Sequence, residues 1–286
     1  MTRFPAARII LATLLPITVS AIAETQALTT MATATSRDGT EIAYWVSGTG
    51  PSLILVHGAS SDHTRFAPVT EALARQFTVY VMDRRGRGGS GDHPDYSLQA
   101  ESEDILAVID AADGPVFLLG HSFGGICALE AAVRSQRIRR LILYEPPVAA
   151  PRNDDISVYQ RLIADGKLQT MLLRFLRENV RLSETEIEDL RAQPTWPARV
   201  ETARTIPREI QAVEEYKLDA RVLSTLDIPT LLLLGGDSPE FQRIGTEDLL
   251  KAIPASRMVV MPGQQHYAML TAPVEFVREV RAFLEQ

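Results

Sequence analysis

Six apolar runs, each four residues long, constrain the fold of this chain more than any other feature. They are Leu53-Ile54-Leu55-Val56, Val79-Tyr80-Val81-Met82, Val116-Phe117-Leu118-Leu119, Leu141-Ile142-Leu143-Tyr144, Leu231-Leu232-Leu233-Leu234 and Met258-Val259-Val260-Met261. None alternates with polar residues, which is the pattern of strands covered on both faces. Helical periodicity separates most of them, over residues 64–75, 98–112, 123–134, 240–252 and 273–284, and Ser97 stands where it can cap the second of these. Strands alternating with helices imply a mostly parallel central sheet with helices on both faces. Upstream, the Asp38-Gly39 turn signal predicts a hairpin between residues 32–36 and 42–46.

One stretch breaks this rhythm. Residues 146–228 carry no convincing strand; their composition is helical and charged, punctuated by Pro194, Pro197 and Pro207. Leu168, Met171, Leu172, Phe175 and Leu176 share one helix face. That face is expected to pack on the body rather than to form a substrate wall. The expected fold class is therefore α/β, with residues 31–145 and 229–286 as the core and residues 146–228 as an inserted helical cap.

The N-terminus reads differently. Arg3 and Arg8 precede an apolar run from Ile9 to Ala23 that closes in Ala21-Ile22-Ala23 before Glu24. A basic start, an apolar middle and a small-x-small site make residues 1–23 a secretory signal peptide by pattern, placing the mature chain in the periplasm or outside the cell. The run is short for a membrane span of roughly 20 residues, so no stable membrane anchor is expected after cleavage. Translation from Met31, giving a cytoplasmic protein, is the alternative.

The net charge of −7 argues against nucleic acid or an anionic membrane as the main partner, since both favour a basic face. The single cysteine, Cys127, permits no internal disulfide, and its apolar neighbours mark it as a small buried hydrophobe. No glycine loop followed by Lys-Ser/Thr, no His-Glu-x-x-His and no paired Cys/His spacing is present, so no phosphate-bearing cofactor or metal is expected.

The chemistry gathers at Gly120-His121-Ser122-Phe123-Gly124, which follows one strand directly and opens a helical pattern directly. A serine on such a sharp turn presents its hydroxyl to open space, and glycine two positions to either side relieves crowding. Serine needs a base. Of the five histidines, His266 follows the final core strand, at the sheet edge where Ser122 also emerges. His57 reads as a turn residue, His121 flanks the serine but points elsewhere, and His63 and His93 sit in polar loops. A carboxylate should orient the imidazole. Glu145 and Asp237 each follow a core strand, and both satisfy the order serine, acid, histidine. The backbone N–H groups of Phe123 and Ala59 are the natural oxyanion donors.

These marks resemble the α/β-hydrolase superfamily over nearly all of the chain after Met31. The shared motifs are His57-Gly58 after a strand, Asp83-Arg84-Arg85-Gly86-Arg87-Gly88-Gly89-Ser90 after the next, the turn at Ser122, and Gly263-Gln264-Gln265-His266. The resemblance makes the arginine-rich loop a turn between sheet and helix instead of a nucleic-acid patch. Members with the acid after the penultimate strand usually read Gly-x-x-Asp there. This chain reads Gly235-Gly236-Asp237-Ser238, with serine in the aspartate's place. Relatives that carry the acid one core strand earlier, as haloalkane dehalogenases and lactone-cleaving hydrolases do, are similar at Tyr144-Glu145-Pro146. That similarity implies Glu145 as the acid, with Asp237 as the alternative. The activity implied is hydrolysis of a small-molecule ester, lactone or thioester through an acyl-enzyme, without a cofactor. A cofactor-free oxidoreductase or lyase, or a non-catalytic ligand-binding member, are the other readings.

Overall fold

A computed structural model describes residues 30–151 and 155–286. The signal-peptide expectation for residues 1–23 lies outside the described residues. Eight strands form one sheet: β1 (Thr30–Thr35), β2 (Glu41–Ser47), β3 (Ser52–Val56), β4 (Thr78–Met82), β5 (Val116–His121), β6 (Ile138–Tyr144), β7 (Thr230–Gly235) and β8 (Ser256–Met261), in the order β1-β2-β4-β3-β5-β6-β7-β8. The expected hairpin is the antiparallel β1–β2 pair. β2 also runs antiparallel to β4, and every other pairing is parallel. All six apolar runs are strands. β3 and β7 are buried at every position, as continuous apolar runs require when helices cover both faces.

The helices are α1 (Ala67–Ala74), α2 (Leu98–Ala111), α3 (Phe123–Ala132), α4 (Ile156–Ala164), α5 (Leu168–Glu178), α6 (Glu184–Arg191), α7 (Trp196–Thr202), α8 (Ile206–Glu215), α9 (Ala220–Leu223), α10 (Glu240–Ala252), α11 (Ala268–Thr271) and α12 (Pro273–Leu284). Ser97 caps α2, accepting from the Ala100 N–H. Residues 64–66, expected to begin the first helix, belong instead to a 3-10 turn (His63–Phe66) capped by Asp62, and Pro68 then opens the α-helix in its first turn.

Helices α4 to α9 all fall between β6 and β7. Leu168, Met171, Leu172 and Leu176 of α5 are buried in the same apolar cluster as Phe66, Ile142 and Tyr144 of the body, so that face does pack. Phe175 belongs to the same cluster but also lines the active-site cavity described below.

The arginine-rich loop after β4 faces inward. Arg84 pairs with Glu101 and Glu209, and Arg85 pairs with Asp104 at 2.7 Å and Asp38 at 2.8 Å. Arg87 pairs with Glu209 at 2.5 Å. All three arginines are buried. Buried guanidinium groups are costly unless paired, and these pairs tie the loop to α2 and α8. They are not open to a phosphate backbone.

Candidate active site

Ser122 is the single residue between β5 and α3. Its backbone has φ +54° and ψ −127°, a strained conformation for a residue with a side chain. The turn admits no side chain two positions to either side. A Cβ on Gly120 would lie 2.5 Å from the Gly124 carbonyl oxygen, and one on Gly124 would lie 2.3 Å from that of His57. The Ser122 N–H donates to the Tyr144 carbonyl at 2.8 Å, which holds the turn against the end of β6.

The next residue after Tyr144 is Glu145, also at positive φ (+47°) and fully buried. Its Oε2 accepts from His266 Nδ1 at 2.6 Å. Its Oε1 accepts from the Gly235 N–H at 2.7 Å and from Ser238 Oγ at 2.5 Å. Three donors on one buried carboxylate offset the desolvation that would otherwise make the position untenable. Asp237 is exposed, and its N–H donates to Gln264. Of the two candidate acids, the structure therefore brings Glu145 to His266 and leaves Asp237 in a surface turn.

His266 is held from several sides. His121 Nε2 donates to the His266 carbonyl at 2.9 Å, and the two rings lie 4.6 Å apart. Burial and the neighbouring His266 push the His121 pKa well down, so it is a neutral prop. Tyr144 Oη donates to the Gln265 carbonyl and accepts from the Ala268 N–H. Burial, reinforced by Glu145, drives the Tyr144 pKa far up and keeps the phenol a donor. His57 is indeed a turn residue: Nδ1 donates to the Gly58 carbonyl and Nε2 accepts from the Arg84 N–H, while burial and then Arg84 hold its pKa low.

Ala59, Ser122, Phe123 and His266 line one cavity of about 160 Å³, closed on the far side by α5, α8 and α10. Among the described residues, the N–H groups of Ala59 and Phe123 have no protein acceptor, as an oxyanion site requires. Ser122 and His266 are not hydrogen-bonded to each other here; such bonds often tighten only around substrate. Apart from the polar group at Ser122 and His266, the wall is largely apolar, with Pro147, Phe175, Ile210 and Phe241 among its residues. Its charged members are Glu178, Glu209 and Glu214, with no lysine or arginine. Burial opposes ionisation of Glu209, but Arg87 and Arg84 more than offset it and its pKa falls.

Asp62, His63 and Asp83 are the described residues whose donor atoms cluster as a metal site would require. Three of the four carboxylate oxygens are already engaged. Asp83 Oδ1 accepts from the His63 backbone and ring, Asp83 Oδ2 from the Gly89 N–H, and Asp62 Oδ1 from Thr64. The group braces the turn before α1.

Sequence reasoning missed three contributors: His121, Tyr144 and Ser238. Ser238 left a signal, since it stands where an aspartate was expected. The other two left none, because their roles depend on a loop more than a hundred residues away.

Comparison with known proteins agrees with this architecture. A sequence model described as the alpha/beta hydrolase family matches residues 53–280. Pimeloyl-[acyl-carrier protein] methyl ester esterase of Aeromonas hydrophila is 25% identical over 248 residues, covering 83% of this chain and 96% of that protein. N-formylmaleamate deformylase of Pseudomonas putida is 41% identical over 108 residues, 36% of this chain and 40% of its own. The crystal structure of an alpha/beta hydrolase from Sphaerobacter thermophilus superposes with a TM-score of 0.80 at 36% identity, covering 88% of this chain and all of the other.

Proposed function

The chain belongs to the alpha/beta hydrolase family, and we propose that it is a serine hydrolase that cleaves a small carboxylic ester, lactone or thioester through an acyl-enzyme on Ser122. The observation that carries this reading is the 2.6 Å bond from His266 Nδ1 to the buried Glu145, beside a cavity that Ser122 and His266 both line. With Nδ1 donating to Glu145, His266 Nε2 is the atom left to accept a proton.

Ser122 Oγ attacks the substrate carbonyl while Nε2 takes its proton. The oxyanion that forms is stabilised by the N–H groups of Phe123 and Ala59. Glu145 holds the imidazole in the productive tautomer and stabilises its cation. Nε2 then protonates the departing alcohol or thiol. Water, activated by the same nitrogen, attacks the acyl carbonyl and releases the acid. One relative is named as a methyl ester esterase, which releases a one-carbon alcohol, and another as a deformylase, which removes a one-carbon acyl group; both names point to a small group on one side of the scissile bond. The apolar wall with only carboxylate charges suits an uncharged group there. Residues 146–228 act as the cap that selects it, and residues 1–23 direct export. An intact mass beginning at Glu24 from a native-like host supports export, and one beginning at Met31 rejects it.

The deciding experiment is labelling with a fluorophosphonate. Ser122 should carry the adduct, and Ser122→Ala should abolish labelling and lower ester turnover by on the order of 10³-fold or more. An adduct on another serine, or an active Ser122→Ala protein, overturns the mechanism.

A further inference from the structure

The oxyanion donor at Ala59 belongs to the Gly58–Ala59 peptide, and that peptide passes directly against the nucleophile: a Cβ on Gly58 would lie 2.7 Å from the Cβ of Ser122. A peptide group is planar and trans, so its carbonyl and its N–H point in opposite directions. Whatever fixes the Gly58 carbonyl therefore aims the Ala59 N–H. Two side-chain donors reach that carbonyl, His57 Nδ1 at 2.8 Å and Arg84 Nη1 at 3.3 Å. The Arg84 backbone N–H also donates to His57 Nε2 at 3.1 Å, which leaves Nδ1 as the protonated nitrogen of that ring.

Ion pairing alone does not account for where the Arg84 guanidinium sits. Its Nε and Nη2 meet Glu101, and Nη2 also meets Glu209 at 2.5 Å. The remaining nitrogen, Nη1, is turned to the neutral Gly58 oxygen. The guanidinium carbon lies 4.5 Å from the centre of the Phe123 ring, and Phe123 supplies the other oxyanion N–H. One fully buried side chain thus touches both segments that would hold the oxyanion. Its neighbours in the loop are placed differently. Arg85 gives its donors to Asp38, Asp104 and the Ala100 carbonyl, and Arg87 reaches Glu209 and Thr205. A charged donor on a carbonyl also polarises the peptide, which strengthens the N–H on its other side.

We propose that Arg84 is a positioning residue for the oxyanion site: through the Gly58 carbonyl it aims and polarises the Ala59 N–H, and it braces Phe123 from the same point. Glu209 belongs to α8 of the cap and lines the active-site cavity, so the link runs from the cap to the oxyanion donors. This rests on the acyl-enzyme reading of Ser122.

The test uses a trifluoromethyl ketone, which adds to a serine hydroxyl as a tetrahedral oxyanion, beside the matching trifluoromethyl carbinol, which cannot add. Inhibition constants for both are measured on the full chain. Arg84→Lys keeps the charge but loses the planar fork, so it should weaken the ketone by about tenfold and leave the carbinol unchanged. That loss falls short of the roughly 10²–10³-fold that removal of a whole oxyanion donor costs. On a model ester, kcat should fall with little change in KM. Arg85→Lys is the control, because it loosens an equally buried arginine of the same loop. It should lower Tm and leave the ketone-to-carbinol ratio unchanged. If Arg84→Lys does not fold, Glu209→Gln removes the cap's charge from Nη2 and should shift the ratio the same way in smaller measure. An unchanged ratio, or an equal shift in Arg85→Lys, overturns the inference. Fluorine NMR of the wild-type chain separates the two readings. Without a ketone adduct, the acyl-enzyme reading fails and this inference with it; with an adduct but an unchanged ratio in the variant, this inference alone fails.

Discussion

Ser238 Oγ donates to Glu145 Oε1 across 2.5 Å, joining the carboxyl ends of two neighbouring strands at the residue that orients His266. The position after β7 that the family pattern would fill with an acid holds a serine here, and its hydroxyl steadies an acid supplied by β6. Losing that hydroxyl leaves the Glu145 carboxylate with one donor fewer. Hydrogen bonds to charged groups contribute about 1.5–3 kcal/mol. Ser238→Ala should therefore lower kcat by about tenfold or more without stopping Ser122 labelling. Steady-state kinetics on a model ester check this; unchanged kcat would mean that the Gly235 N–H holds Glu145 by itself.

Glu145→Gln keeps the shape of the acid but favours the wrong tautomer of His266. In the serine-protease case such a change costs about 10⁴-fold in kcat, and a loss approaching that is expected here. Asp237→Asn should be close to silent, because Asp237 is exposed and only its backbone N–H is engaged, by Gln264. The double variant should match Glu145→Gln alone. A crippled Asp237→Asn beside a near-normal Glu145→Gln would assign the acid to β7.

The α5 face divides into two roles. Leu172 is fully buried in the apolar cluster, so Leu172→Ala should lower stability by roughly 2–5 kcal/mol. Its ester chain-length profile should stay unchanged. Phe175 lines the cavity, so Phe175→Ala should shift that profile toward bulkier acyl or alcohol groups. Urea unfolding together with a chain-length series separates the two effects.

His63 gives the fold a pH dependence of known sign. Burial works against its cation, but the bond and charge of Asp83 at 2.9 Å outweigh it, and the pKa is raised above 6.5. A raised folded pKa means that the stabilisation is fully present below the unfolded value of about 6.5. It is lost as pH rises through the folded value. The Tm difference between wild type and His63→Gln should therefore be largest in mild acid and shrink in alkali. A difference independent of pH would assign the contribution to the stack of His63 on Trp45 instead.

The alternation of strands and helices, the hairpin, and the turn that carries Ser122 are all legible along the chain. Each rests on contacts within a few residues. Four unbroken apolar positions need cover on both faces, and Gly120 and Gly124 mark a turn too tight for side chains. His266 was legible for a related reason, since a loop after a parallel strand can open only at one edge of the sheet. The acid was not legible from spacing. Glu145 and Asp237 follow adjacent parallel strands and emerge at the same edge, so either order of residues satisfies the same local pattern. The folded chain brings only one of them to His266. The backbone turns Glu145 inward at φ +47°, under the His266 loop, where Gly235, Ser238 and His266 supply its donors, and it turns Asp237 out to solvent. The pairing of Arg84, Arg85 and Arg87 is decided by the folded chain too. A charge is paired or orphaned by what lies across space from it, and the order of residues along the chain does not specify that.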